Sequence, residues 1–147
     1  MFHDQTLAPL INNYVRTGKV YLVQHEFPLP IHPHSREAAC LACAADKIGR
    51  YQQVCDQLFR TQDSWHKDGK VAEAACAGMP AADASKLRSL AGAQEITSLV
   101  DGDIRAGQAE KVSGTPTLII TRMLRRYPVS GPVSYEVLSK FLDSLLN

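Results

Sequence analysis

Apolar positions along the chain change their spacing several times, and each change predicts a boundary between elements. Up to Thr17 they recur at helical spacing, and Gly18 suits the left-handed residue that follows a helix. Residues 19–27 are mostly apolar, β-branched or aromatic, and Pro28 closes them, which predicts a strand buried on much of both faces. Amphipathic helices are then predicted over residues 37–47, 50–60, 70–77, 83–90 and 93–108.

The C-terminal part of the chain returns to strands and ends in one helix. The segment "VSGTPTLII" at 112–120 sets a Gly-Thr-Pro-Thr turn in front of an apolar strand predicted over 117–121. Because proline has no N–H for a strand ladder, its place there requires another explanation. A second strand is predicted over 126–129 and an amphipathic helix over 135–146. This order of elements predicts an α/β fold.

The composition is that of an ordinary globular domain. The chain has 147 residues, 45% of them hydrophobic and 21% charged, and its formal net charge of +1 provides no overall field for nucleic acid or an anionic membrane. The basic run Arg122–Arg126 is interpreted as a solvated hairpin turn. No window approaches the length of a membrane span, and no signal peptide is recognised. We therefore expect neither nucleic acid nor membrane as a partner.

Three segments in a fixed order carry a resemblance to a known family. They are "FHDQTLAPLINNYVRTGKVYLVQHEFPL", "HSREAACLACAADKIGRYQQVCDQLF" and "VSGTPTLII". They resemble the C-terminal four-fifths of a DsbA-like protein of the thioredoxin superfamily, in which a helical domain is inserted into a thioredoxin core. The resemblance implies an incomplete thioredoxin-like core of residues 1–30 and 110–147 and an inserted helical domain of residues 31–109. It also implies N-terminal truncation, with the central first strand missing and its two neighbouring strands left with open edges.

The resemblance implies a substrate-binding site at Gly114, Thr115 and Pro116. In this family the proline follows a cis peptide bond and faces the active-site thiols. The backbone of Thr115 is therefore expected to pair with an extended polypeptide substrate.

The resemblance also implies where the family's catalytic Cys-x-x-Cys would lie. It is expected upstream of Met1, which is interpreted as an internal methionine just before Phe2, so no catalytic residue is expected in this chain. The implied function is thiol–disulfide exchange on other proteins, in a family that is typically periplasmic or exported. This chain itself is expected to be inactive, and the open edges make a homodimer possible.

The cysteines and histidines of the chain are interpreted as structural. Cys40 and Cys43 have the spacing of a redox pair, but Ser35 is the expected helix cap, which places Cys40 a full turn inside the helix. There it lies beyond the unpaired N–H groups that stabilise a thiolate, and we expect both thiols to be buried. His32 and His34 flank a proline and lack the spacing of metal ligands. No metal and no cofactor is expected.

Two other interpretations stay open at this point. The first is a non-catalytic thioredoxin-fold module that binds proteins or peptides. The second is a relative of the kappa-type glutathione transferases or isomerases, which share the inserted helical domain and whose catalytic residue would also precede this chain. Trp65 is expected to lie between helices and to pack the helical domain on the core.

Overall fold

The computed structural model describes residues 2–147, which divide into two compact units. One unit comprises the residues up to Gln24 together with Lys111–Asn147, and the other comprises His25–Glu110. Within the described part of the chain, no helix is long and apolar enough to cross a membrane.

Met1 lies outside the described residues. Its interpretation as an internal methionine therefore stays a prediction, as do the truncation and the Cys-x-x-Cys motif expected upstream of it.

A small core of two helices forms one side of the first unit. Helix α1 covers residues 3–15 and contributes Leu10 and Tyr14, whereas the last helix, α8, contributes Leu138 and Leu142. The Tyr14 hydroxyl donates a hydrogen bond of 2.8 Å to Oδ1 of Asp143 on α8. Helix α1 consists of the consecutive segments His3–Leu7, Ala8–Leu10 and Ile11–Val15, of which the outer two are π-helical, and α8 is Tyr135–Leu146.

A two-stranded antiparallel sheet completes this unit. Strand β1 covers Thr117–Arg122 and strand β2 covers Arg125–Ser130, so both predicted strands are confirmed with slightly wider bounds. Leu118 and Ile120 of β1 pack against the core of α1 and α8. Alternation along a strand puts every second side chain on one face, which is why these two residues share the buried face.

The strand predicted over residues 19–27 is wrong. Residues 19–29 have no regular secondary structure, and no strand of residues 2–147 pairs with them. Val20 and Leu22 still pack against the core of α1 and α8, but Tyr21 is 90% exposed and Val23 is 55% exposed. Buried and exposed side chains therefore alternate along residues 20–23 as they would along a strand. No other strand of the described residues provides the backbone hydrogen bonds that a strand requires.

The regular secondary structure of the second unit consists of helices. Its core is built from nearly inaccessible aliphatic side chains of successive helices, among them Leu41, Val54, Val71, Leu87 and Ile96. Small alanines of the second helix, including Ala44 and Ala45, allow the neighbouring helices to approach closely. The helices are α2 (Ser35–Asp46), α3 (Tyr51–Arg60), α4 (Gln62–Asp68), α5 (Val71–Cys76), α6 (Ala81–Ala91) and α7 (Gln94–Ala109).

Two local expectations in this unit are wrong. Trp65 lies within helix α4 rather than between helices, and its Nε1 donates to the carbonyl of Leu58 at 2.8 Å. This hydrogen bond lets the indole be buried in the helical core without leaving its donor unsatisfied. Ser35 does not cap α2, because its hydroxyl donates to the carbonyl of Leu29, and the residue before the helix is His34 with a φ of 66°.

Candidate functional site

The loop that contains Pro116 is anchored on both sides. The hydroxyl of Thr117 donates to the carbonyl of Gly114 at 2.7 Å, and the N–H of Gly131 donates to the carbonyl of Pro116 at 2.9 Å. The Thr115–Pro116 peptide bond is cis. Between these anchors Thr115 is exposed, and no hydrogen bond among residues 2–147 uses its backbone N–H or C=O. The loop therefore leaves the N–H and C=O of Thr115 free to pair with another chain.

The same free groups continue along β1. The register of the sheet places Thr117 of β1 opposite Ser130 of β2. The hydrogen bond from the N–H of Gly131 to the carbonyl of Pro116 determines which of the facing residue pairs are hydrogen-bonded. Since hydrogen-bonded and non-hydrogen-bonded pairs alternate, the N–H and C=O groups of Thr117, Ile119 and Thr121 point away from β2. No hydrogen bond from the rest of the described chain reaches this side, which we call the outer edge of β1.

The outer edge of β2 differs from that of β1. Pro128 lies opposite Ile119 at a non-hydrogen-bonded pair, so its missing N–H is on the side away from β1. A proline at this position keeps the ladder intact and blocks addition of another strand. β1 has no proline between Thr117 and Arg122, so its outer edge remains able to pair.

The cysteines lie in the helical unit, and none of them forms a disulfide within residues 2–147. Cys40 and Cys43 are the sixth and ninth residues of α2, well past the N–H groups at its start. Positions three apart on a helix have Cβ atoms about 5–6 Å apart, whereas a disulfide requires about 3.5–4.5 Å. Cys55 lies on α3 and Cys76 on α5. No pair along α2 is thus arranged for reversible oxidation.

Burial makes all four thiols hard to ionise. Burial, and after it the nearby carboxyl of Glu26, raise the pKa of Cys43 and of Cys55 to about 12. Burial also raises the pKa of Cys40 and of Cys76, in each case opposed by an arginine. A reactive cysteine needs the opposite shift, since the thiolate is the nucleophile. The expectation of structural thiols therefore agrees with their electrostatics.

A carboxyl group that the sequence reasoning missed lies close to these thiols. Glu26 accepts a hydrogen bond of 3.0 Å from the hydroxyl of Tyr51, and burial raises the pKa of Glu26. Asp103 of α7 accepts a hydrogen bond from the backbone N–H of Glu26 at 2.9 Å and lies 2.7 Å from Nδ1 of His25. The sequence did contain a signal for this carboxyl group. Glu26 lies in the segment "VQHEFPL", at the end of a stretch that was predicted to be largely buried, whereas carboxyl groups are mostly exposed to water.

A groove of about 500 Å³ runs along the helical unit with Cys40 on its floor. Arg36 and Arg88 line it, but Glu37 lies beside them and Arg36 is already paired with Asp101 at 2.6 Å. The charges at the groove are therefore largely balanced. Cys40 itself is almost inaccessible. The groove therefore offers no net cationic site and no reactive thiol.

The histidines lie near one another without forming a metal site. The rings of His32 and His66 meet edge to face with centroids 6.4 Å apart. In residues 2–147, no group of three or more His, Cys, Asp or Glu side chains is placed to hold a metal ion.

The fold and the site define a mostly helical α/β domain with a small two-stranded sheet and a proline-containing loop at the start of its first strand. The family model described as Thioredoxin matches residues 1–144, nearly the whole chain. The chain therefore belongs to the thioredoxin family. This membership suggests a function of the thiol–disulfide oxidoreductase kind. Comparison with curated proteins and with solved structures gave no match.

Proposed function

We propose that the chain is part of a DsbA-like thiol–disulfide oxidoreductase and that it binds an extended segment of the substrate polypeptide. The binding surface consists of Gly114, Thr115 and Pro116 and continues along the outer edge of β1. The observation that carries this proposal is that Thr115, at the start of that edge, is exposed and that its backbone N–H and C=O make no hydrogen bond within the described residues. In this assignment residues 31–109 are the inserted helical domain of the lineage.

Backbone pairing suits a protein that acts on many different polypeptides. A strand added to a sheet edge is held by main-chain hydrogen bonds, which do not depend on the sequence of the added chain. The outer edge offers the N–H and C=O groups of three residues in addition to those of Thr115. The anchored loop keeps these groups in place, so little conformational entropy is lost when a segment binds.

In this proposal none of the four cysteines attacks the substrate disulfide. The positions of Cys40 and Cys43 inside α2 and the raised pKa values of all four thiols support this assignment. The catalytic dithiol of the lineage is placed upstream of Met1. The chain of 147 residues is then inactive by itself, although it belongs to a redox lineage.

The same raised pKa values favour a second candidate function. A thioredoxin-fold module that binds polypeptides without redox chemistry needs no activated thiol. It uses the same loop and the same edge, so the two candidates differ only in whether a dithiol operates beside Thr115.

Binding is tested with a reduced and carboxymethylated polypeptide that carries a fluorophore. The Thr115→Arg variant should weaken binding at least tenfold in fluorescence anisotropy, because the long side chain covers the free N–H and C=O groups at position 115. Ser85→Arg is the matched control, since Ser85 is an exposed residue on α6 and takes no part in the edge. Equal binding by Thr115→Arg, with its thermal unfolding unchanged, would sink the assignment of this loop.

Redox chemistry is tested by the reduction of insulin with dithiothreitol. We expect the chain to add nothing to the rate of dithiothreitol alone, and a rate increase that Cys40→Ser abolishes would contradict the proposal. A version extended before Met1 by a strand and a Cys-x-x-Cys motif should gain activity, and the corresponding Ser-x-x-Ser version should not. No gain in either version would favour the binding module.

A further inference from the structure

The turn between β1 and β2 exposes two large apolar side chains. Met123 is 83% exposed and Leu124 is 100% exposed, and they are the only residues between the two strands. Together with Arg122 and Arg125, which end the two strands, they form what we call the hairpin tip. No apolar neighbour in the described chain covers these side chains, so they add nothing to the core.

The backbone conformation at Met123 disfavours a long side chain. Met123 has a φ of 54°, a conformation that a two-residue hairpin turn normally fills with glycine, asparagine or aspartate. A long side chain at positive φ costs conformational energy. Folding poorly explains a strained residue that is as exposed as Met123, which favours an explanation in binding.

The two charged side chains of the hairpin tip, Arg122 and Arg125, are both basic. Arg122 and Arg125 face each other at the end of the ladder and are exposed, and no ion pair in residues 2–147 involves either of them. The formal charge of +1 for the whole chain hides this local excess, which acts over about one Debye length of 8–10 Å.

We propose that the hairpin tip is an anchor for an anionic membrane surface. Met123 and Leu124 insert into the boundary between headgroups and acyl chains, while Arg122 and Arg125 bind the lipid phosphates. The apolar pair lies at the end of the ribbon, and the arginines lie about 3.3 Å behind it, one strand residue back. From the turn back along the hairpin, the apolar side chains come first and the basic side chains second. From the interior of a bilayer outwards, the acyl chains come first and the phosphates second, so the two orders match.

A lipid surface fits the hairpin tip better than an acidic protein does. The apolar part of the hairpin tip consists of Met123 and Leu124 alone, at the turn that joins β1 and β2. A fluid lipid layer adapts to such a point, whereas a protein interface of standard size buries about 800 Å² on each partner. The sequence-based interpretation of Arg122–Arg126 as a solvated turn rested on the lack of an aromatic or glycine-rich partner, and the expectation of no membrane partner rested on the net charge of +1 and the lack of a membrane span. Neither included the exposure of Met123 and Leu124.

The anchor would hold the substrate loop away from the lipid. β1 has six residues and therefore spans about 20 Å between the loop that contains Thr115 and the hairpin tip. Membrane attachment and polypeptide binding thus use opposite ends of one strand, and either can fail without the other.

The test is co-sedimentation of the 147-residue chain with phosphatidylcholine vesicles, with and without phosphatidylglycerol. We expect at least tenfold stronger binding to the vesicles that contain phosphatidylglycerol, decreasing as salt is added. Met123→Gly with Leu124→Asn should reduce this binding at least tenfold without lowering the thermal midpoint, because glycine relieves the positive φ at position 123. Val137→Ser, which removes another exposed apolar side chain of the same unit, should bind as the unchanged chain does.

A second double variant separates the charges from the apolar pair. Arg122→Gln with Arg125→Gln should remove the preference for phosphatidylglycerol. Failure of the unchanged chain to bind either vesicle would overturn the proposal, as would undiminished binding by the Met123 and Leu124 double variant. Binding to poly-glutamate but not to vesicles would overturn it as well and would assign the hairpin tip to an acidic polypeptide.

Discussion

Phe27 lies so close to helix α7 that only a glycine fits beneath its ring: a Cβ built on Gly107 would lie 2.6 Å from two ring carbons. Glycine in a helix interior is otherwise destabilising by about 0.5–1 kcal/mol relative to alanine. Asp103 of α7 also accepts a hydrogen bond from the backbone N–H of Glu26 and makes another with the ring of His25. These contacts hold the segment before Pro28 against α7.

Two glycine substitutions in α7 should therefore have opposite effects. Gly107→Ala should lower the free energy of unfolding by about 1–3 kcal/mol, because the ring of Phe27 or the helix must shift. Gly102→Ala is the matched control in the same helix, since the nearest atom to its added Cβ is at 3.9 Å. It should raise the free energy of unfolding by about 0.5–1 kcal/mol. Urea denaturation checks both, and similar changes in the two variants would disprove the close contact.

Glu26 makes the stability of the helical unit depend on pH. Because burial raises its pKa above the ordinary value of 4.5, the folded state favours the neutral carboxyl. The stability from this shift is complete below the unfolded-state pKa and is lost as the pH rises through the folded-state pKa. Glu26→Gln keeps an oxygen that accepts from Tyr51 and carries no charge. It should be more stable than the unchanged chain near pH 8, with little difference near pH 4.

Thermal unfolding at several pH values measures the effect of Glu26→Gln. Glu73→Gln, at an exposed position on α5, serves as the control and should follow the unchanged chain at every pH. A stability difference for Glu26→Gln that stays constant from pH 4 to pH 8 would show that the buried carboxyl is not the titrating group.

The thiols should react slowly in the folded protein. A pKa of about 12 for Cys43 instead of 9.0 lowers its thiolate fraction near pH 8 by about 10³-fold, and the other three thiols are buried. We expect negligible alkylation by iodoacetamide in the time that the unfolded chain, which is the internal control, reacts fully. Mass spectrometry counts the modified cysteines. A single cysteine that reacts as fast when folded as when unfolded would identify a reactive thiol and contradict the proposed function.

Most of the helices and the hairpin could be predicted from sequence because local signals determine them, but helix α4 was not predicted. The predicted 135–146 helix agrees with α8, where Ser134 accepts a hydrogen bond from the N–H of Val137 as a helix cap. The strand predicted over residues 19–27 is wrong because a strand needs a partner strand to pair with, and residues far away in the sequence determine whether that partner is present. Periodicity alone indicates only where side chains point.

The candidate site was only partly predictable for a related reason. The resemblance pointed to Thr115 and to an open edge on the strand that follows Pro116, but which N–H and C=O groups that edge offers depends on the register of β1 with β2, which no local motif specifies. Likewise the sequence "MLRR" does not show whether other residues of the fold cover the side chains of Met123 and Leu124. Exposure is a result of the whole fold.

The open edge of β1 should also pair with a second copy of the chain. A strand edge with free N–H and C=O groups is a template for another strand, and β1 lacks the protection that Pro128 gives β2. Two outer edges related by a two-fold axis can pair antiparallel. Thr121→Pro removes an outer N–H while the bonds to β2 remain, because Thr121 and Arg126 form a non-hydrogen-bonded pair. We therefore expect the unchanged chain to dimerise at micromolar concentration in sedimentation velocity and Thr121→Pro to be monomeric. Thr121→Val, which keeps the N–H and a β-branched side chain, should dimerise as before, and a cooperatively unfolding monomer in the unchanged chain would exclude this mode of association.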